Sequence, residues 1–179
     1  DYSTVQIGDQ CWFAENCKYL PSITNPEEGG VETAHYYVNG YEGSSISEAG
    51  QTSNFDTYGV LYNYKAFITT GICPSGWHIP ANDDWNELID VLGGLPVAGM
   101  ALKTVSGWAG GGGSNSSGFT ALPGGSRYDV AGFNGYWWSS SSNGVNDAWT
   151  MCLYYGWGGT ASQDSYNRSD AFSARCVRD

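Results

Sequence analysis

An α+β domain of short strands, one or two helices and long loops is what this sequence predicts, and three observations lead there. Glycine fills 26 of 179 positions, against a usual share of ~7%. Charged residues make up 14% of the chain, well below the usual ~25%. One segment, 83–92, has a clear helical period, while the chain after 119 breaks into short apolar pieces between Gly, Ser and Asn clusters. A helical bundle or coiled coil would need far more Ala, Glu, Lys and Leu. With 41% apolar and 15% aromatic residues, the chain has the means to bury a core, and its length fits a single domain over 1–179.

Val5 to Ile7 and Cys11 to Phe13 read as two strands joined by a Gly8-Asp9 turn. Residues 21–57 are polar and Gly/Pro-punctuated, a long irregular segment packed by Tyr36, Tyr37, Tyr41 and Phe55. Residues 58–68 (YGVLYNYKAFI) are apolar enough for burial, with a period that fits strand or helix. In the helix over 83–92, Trp85, Leu88, Ile89 and Leu92 form one apolar face. Asn82 serves as N-cap, Asp83 and Asp84 sit in the first turn, and Gly93 closes the end. A shorter helix or turn is expected over 97–104, and 110–113 is too Gly-rich for regular structure. Strands are expected at 137–140, 148–153 and 172–177. In the second, Trp149, Met151 and Leu153 should face the core, and Thr150 and Cys152 should face outward. Trp85, Leu88, Ile89, Trp137, Trp138, Trp149, Met151 and Phe172 are the expected core.

Net charge is −11, from 18 acidic and 7 basic residues. Such a surface repels phosphate, which excludes nucleic acid as a ligand. No apolar run approaches the ~18 residues of a membrane span. Five cysteines, at 11, 17, 73, 152 and 176, leave one without an intramolecular partner. Together with the acidic, aromatic composition they suggest a location outside the cytoplasm, and an opening at Asp1 suggests a processed or excised piece.

Six phrases follow one another in order: 7–16 (IGDQCWFAEN), 58–63 (YGVLYN), 71–80 (GICPSGWHIP), 115–125 (NSSGFTALPGG), 137–140 (WWSS) and 172–179 (FSARCVRD). In these the chain resembles the Fibrobacter succinogenes major paralogous domain family, over nearly its whole length. The resemblance implies a C-type-lectin-like fold, related to that of formylglycine-generating enzymes. Many members are variable proteins of diversity-generating retroelements, which are ligand-binding proteins of a bacterial surface, pilus or phage particle. It therefore implies a non-enzymatic adhesion module, extracellular or surface-displayed as a lipoprotein or pilus component. The partner would be a protein or glycan on another cell or particle.

Independently, the segment 126–170 has the composition of a paratope, with Tyr and Trp as rigid contact area and Ser, Gly and Asn as adaptable polar groups. The resemblance adds, through the genetic code, that adenine-directed mutagenesis of AAC or AAT codons would reach Tyr, Asp, Ser, Gly, Thr, Asn and Cys, but not Trp or Met. Asp129, Asn134, Tyr136, Asp147, Thr150, Cys152, Tyr154, Gly156, Gly158, Ser162, Asp164 and Tyr166 all lie in the reachable set. They alternate with residues outside it, such as Trp149 and Met151. They form the expected ligand-binding face, sharing one solvent-facing patch, with Tyr136, Tyr154 and Tyr166 as its hot spots. Cys152 would then be a product of diversification without a disulfide partner.

C-type lectins often bridge the first helix to the last strand, so the resemblance implies a Cys73–Cys176 disulfide, with two buried free thiols as the alternative. Cys11 and Cys17 read as a local disulfide, as packed thiols or as a metal or copper site. A formylglycine-generating oxidoreductase, the rival reading, would need a copper-binding cysteine pair. Near its C-terminal end the chain offers only Cys176, with Cys152 far back. A structural surface domain without a diversified site is the third reading. No cofactor is expected. Calcium stays open through Asn143, Asn146 and Asp147, although the lectin sugar motifs Glu-Pro-Asn and Trp-Asn-Asp are absent. His78 reads as a structural residue at a strand end and His35 as a solvated loop residue, since no nucleophile and acid are placed around either. The Gly clusters at 110–113 and 124–125 lack the Lys-Ser or Lys-Thr of a phosphate loop and read as turns.

Overall fold

The computed structural model describes residues 1–69 and 71–179, with Trp157 described by its backbone alone. It is a mixed α/β structure of short helices and three small antiparallel sheets. The first sheet joins the two ends of the chain. β1 (Thr4–Ile7) and β2 (Gln10–Phe13) form the expected hairpin across Gly8, and β9 (Val177–Arg178) pairs with β2. The second sheet is β3 (Tyr36–Tyr37), β4 (Leu61–Asn63) and β8 (Ala171–Phe172). The third and longest is β5 (Gly135–Asn143), β6 (Asp147–Leu153) and β7 (Ala161–Asn167), with β6 central.

The long polar segment is less irregular than its composition suggests. It holds β3 and two short helices, α1 (Ile46–Ala49) and α2 (Ser53–Tyr58), capped by the side chains of Ser45 and Thr52. The ambiguous apolar stretch is both things in turn, β4 followed by α3 (Tyr64–Thr69). Gly59 makes the entry possible. Its φ is +74°, and a Cβ there would sit 2.6 Å from the Cys17 carbonyl oxygen.

α4 (Asn82–Val91) carries the expected apolar face, with Trp85, Leu88 and Ile89 buried. Its N-cap is Ala81, not Asn82. The Asp84 carboxylate accepts from the Ala81 N–H at 2.7 Å, which fixes the helix start one residue earlier. Gly93 follows the C-cap at φ +95°. α5 (Leu95–Leu102) has Pro96 in its first turn. A side chain at Gly99 would run into the Gly159 carbonyl, so glycine lets α5 lie flat against the loop after β6.

The third sheet divides two aromatic cores. On one face, Trp137, Met151, Leu153 and Ala161 pack with Trp12, Trp85, Phe119 and the apolar faces of α4 and α5. On the other, Tyr136, Trp138, Ala148 and Cys152 pack with Tyr62, Tyr64, Phe67 and Phe172. Seven of the eight expected core residues are buried, and Trp149 is half-buried. The outward placement of Thr150 and Cys152 is wrong, as both are buried. Alternation in β6 separates one core from the other rather than core from solvent. The expected strand over 172–177 is likewise interrupted. Its ends pair as β8 and β9, Ser173 bridges in parallel to Trp137 of β5, and 174–176 run buried between them.

Arg175 lies in that buried run. Its guanidinium donates to Asn16 Oδ1 at 3.1 Å, to the Phe13 carbonyl at 2.9 Å, to the Thr120 carbonyl at 2.8 Å and to the Phe119 carbonyl. It stacks over the Phe119 ring at 4.1 Å. Burial pushes its pKa down to about 9, so it remains a cation at neutral pH. Asn16 also accepts from Trp137 Nε1 at 2.8 Å and donates to the Tyr58 carbonyl at 2.9 Å. Cys73 and Cys176 are disulfide-bonded, the pairing implied by the resemblance. Cys11 and Cys17 do not pair; both are buried free thiols, and Cys17 Sγ lies 3.7 Å from Cys176 Sγ.

Two outcomes follow for stability. Arg175→Lys should cost about 3 kcal/mol or more, because one ammonium cannot serve three carbonyls and Asn16 together. A urea midpoint within error of the parent would refute that role. Cys73→Ser opens a bridge spanning 103 residues and should lower stability by about 2–5 kcal/mol. The same denaturation series checks it against the oxidised parent, and reducing the parent should produce a comparable loss.

Candidate functional site

β6 and β7 pair without interruption, Leu153 opposite Ala161 through Asp147 opposite Asn167. β5 adds Tyr136 opposite Cys152 and Trp138 opposite Thr150. Because side chains alternate along each strand, Tyr136, Trp138, Ala148, Thr150, Cys152, Ser162, Asp164 and Tyr166 all share one face. The sheet thus gathers residues up to thirty positions apart into one cluster.

Its centre is a hydrogen-bonded set. Tyr154 donates its phenol proton to Asp164 Oδ2 at 2.8 Å, and Ser162 Oγ donates to the same oxygen at 2.8 Å. With the Tyr154 proton committed, Tyr166 donates to the Tyr154 oxygen across 2.9 Å. The Tyr136 ring meets Tyr154 and Tyr166 edge-on, at centroid distances of 6.0 and 5.6 Å, and lies against Phe172. Its hydroxyl reaches Asp129 Oδ2 at 3.3 Å. Burial pushes up the phenols of Tyr136, Tyr154 and Tyr166. Asp129 raises Tyr136 further, and Cys152 raises Tyr154. The Cys152 thiol below them is also raised by burial.

The sheet hands on to a loop at Tyr154. Lys103, fully buried at the end of α5, donates to the carbonyls of Tyr154 at 2.7 Å and Gly158 at 2.9 Å, and lies over Trp108. Burial lowers its pKa. This residue ties the loop carrying Gly156 and Gly158 to the helical layer.

The twelve predicted site residues divide accordingly. Tyr136, Tyr154, Ser162, Asp164 and Tyr166 come together, with Asp129 at their edge. Gly156 and Gly158 are exposed in the adjoining loop. Three correct the expectation of an outward patch. Tyr136, Thr150 and Cys152 are buried beneath the cluster, because the second core covers this face of β5 and β6. Tyr154 and Tyr166 are half-buried rather than free anchors. Asn134 supports the loop by accepting from the Tyr155 N–H, and Asp147 falls on the opposite side of the β6 alternation.

Sequence reasoning missed Tyr128 and Asp170. With Asp129, Tyr136, Tyr166, Phe172 and Ser126 they line a cavity of about 180 Å³ at the rim of the cluster. Burial raises the Asp170 carboxyl, and Asp147 and Asp129 add to this against the opposing pull of Arg127. Both residues sit in turns, where no period marks orientation. Both do fall inside the paratope-like stretch 126–170.

Among the described residues, one group of His and carboxylate side chains has converging ligand atoms. It is His78, Asp84 and Asp179, within 4.8 Å of one another. His78 Nε2 lies 3.4 Å from Asp84 Oδ1, and its backbone bridges to Val177, the structural place expected for it. His35 is half-buried rather than solvated, its ring 2.8 Å from Thr33 Oγ1.

The raised phenols have a measurable consequence. Below pH ~10 both states are neutral at these tyrosines. Above it the unfolded chain ionises first, so their contribution to stability should be lost as pH climbs toward the folded values. Ultraviolet titration should show Tyr154 ionising only with unfolding. A Tyr154→Phe variant with an unchanged phenolate curve would contradict the assignment.

No curated protein and no solved structure matches the chain. The Fibrobacter succinogenes major domain matches residues 5–178, from within β1 to the end of β9. The chain belongs to the Fibrobacter succinogenes major domain family.

Proposed function

We propose that this domain is a ligand-binding or adhesion module of C-type-lectin-like fold, acting outside the cytoplasm on a bacterial surface, pilus or phage particle. Its binding face is the cluster of Tyr154, Ser162, Asp164 and Tyr166 with Asp129 and the Gly156–Gly158 loop. The observation that carries this reading is the convergence of AAC-reachable residues from three strands and two loops onto one side of the third sheet. Of the residues outside the reachable set, Trp137 and Met151 lie in the opposite core, and Trp138, on the same face, is fully buried beneath the cluster. A diversity-generating variable protein needs that division, with a face free to change over a scaffold that is not. The lectin-like fold is supported by the pairing of both chain ends in one sheet and by the bridge from the segment before α4 to the last strand.

Cys17 and Cys152 are buried, and burial raises the first to about 12 and the second higher still. Nucleophilic thiol chemistry needs the thiolate, so these residues favour binding over the formylglycine-generating reading. Tight stoichiometric copper binding by the reduced protein would reverse that preference.

The decisive experiment randomises Tyr154, Ser162, Asp164 and Tyr166 to residues reachable from AAC. Most members should unfold cooperatively with Tm within about 4 °C of the parent, equivalent to ~1 kcal/mol. Trp138→Ala should cost about 3–5 kcal/mol. A library that mostly fails to fold would make the cluster scaffold, and the reading would fall.

A further inference from the structure

The rim cavity lined by Asp129 and Asp170 is one of three depressions in series. It shares Tyr128 and Asp129 with a second, of about 160 Å³, lined by Tyr41, Glu42 and Arg127. That one shares Pro26 and Glu42 with a third, of about 180 Å³, lined by Asn25 and Glu27. The result is a continuous trough with Asp170, Asp129, Glu42 and Glu27 along it and the rings of Tyr166, Tyr136, Tyr128 and Tyr41 as walls.

Its charge is only partly offset from within, four carboxylates facing one guanidinium. Among the described residues none of these four carboxylates forms an ion pair. Among the described residues the one cation lining the trough is Arg127, whose hydrogen bonds go to uncharged groups, so its charge persists and offsets one of the four carboxylates. It donates to the Glu28 carbonyl at 2.8 Å, to the Tyr37 hydroxyl at 3.0 Å and to the Tyr128 hydroxyl, and it stacks on both rings. The protein's net charge of −11 adds a long-range field of the same sign.

We infer that this trough receives Lys and Arg side chains from an extended basic segment of a partner protein. The inference rests on the sheet-face reading, since the trough continues that face from Tyr166 and Tyr136. Each depression is below the ~300 Å³ of a small-molecule pocket, so each suits one side-chain end rather than a whole ligand. A cation over a tyrosine ring beside a carboxylate gains from the ring quadrupole and from the charge together. Depressions linked by shared walls select a chain that presents cations in succession, which an extended strand does on alternate residues.

The test uses the whole domain with three peptides: acetyl-GKGKGK-amide, acetyl-GRGRGR-amide and acetyl-GEGEGE-amide. Binding is followed by calorimetry at physiological salt, and variant folding by thermal unfolding. The two basic peptides should bind and the acidic one should not. Asp129→Asn/Asp170→Asn and Glu27→Gln/Glu42→Gln should each weaken binding about tenfold or more. Asp56→Asn/Asp90→Asn removes equal charge from exposed sites outside the trough and should change it less than about twofold. Equal weakening by all three pairs would mean general charge attraction and would overturn the trough. So would calcium binding that needs Asp129 and Asp170 while the basic peptides fail to bind. Tyr154, Ser162 and Asp164 do not line the trough. Absent peptide binding alongside intact tolerance at those three positions would therefore defeat this inference alone.

Discussion

The Arg175 guanidinium is the point on which the rest of this structure depends. A cation taken fully out of water costs several kcal/mol unless its donors are satisfied. Among the described residues no ion pair does so here; backbone carbonyls at Phe13, Phe119 and Thr120 and the Asn16 side chain do. Those groups belong to the first hairpin, to the Gly-rich segment after α5 and to the loop after β2. The charge is stabilised only when all of them are in place, so it couples chain segments more than 100 residues apart. Asn16 extends the coupling to Trp137 and to the Tyr58 carbonyl. The Cys73–Cys176 bridge closes the same region one residue further along.

Fixing that hub fixes the third sheet, because Trp137 begins the row of large rings on its helix-facing side. The sheet then acts as a partition. Its two faces build separate cores, one against α4 and α5, the other against α3, β4 and β8. Central β6 is buried on both sides beyond Trp149, which is why Thr150 is buried and its hydroxyl has no hydrogen-bond partner among the described residues. Rigidity in the partition lets a loop-rich domain present its surface in a fixed arrangement.

The proposed binding face lies where that partition runs out. Past Cys152 and Leu153 the chain leaves the sheet, and Lys103 holds the departing loop by two carbonyls from the other layer. On the near side the phenols of Tyr154 and Tyr166 stand on buried Tyr136 and are oriented by one carboxylate oxygen of Asp164. Hydroxyls, carboxylates and ring faces at fixed positions above a dry core suit recognition, since little side-chain freedom remains to be lost on binding.

The sequence by itself determined the hairpin, the helix near 83–92 (found at Asn82–Val91) and nearly all the core, because each rests on local periods and turn chemistry that neighbouring residues carry. It also marked the stretch that supplies the Tyr154–Asp164–Tyr166 cluster, since Tyr, Ser, Gly and Asp are concentrated there for the same local reason. Only the tertiary structure decided which of those residues are available. Met151 and Cys152 obey one alternation whether the strand divides core from water or core from core, and the covering aromatic cluster comes from positions 62–67 and 172, remote in the chain. Strand β7 was illegible because its side chains are polar and small, and its pairing comes from register with β6 rather than from its own burial. Tyr128 and Asp170 were missed for a related reason. Turns have no period, so their orientation is set by what they rest against.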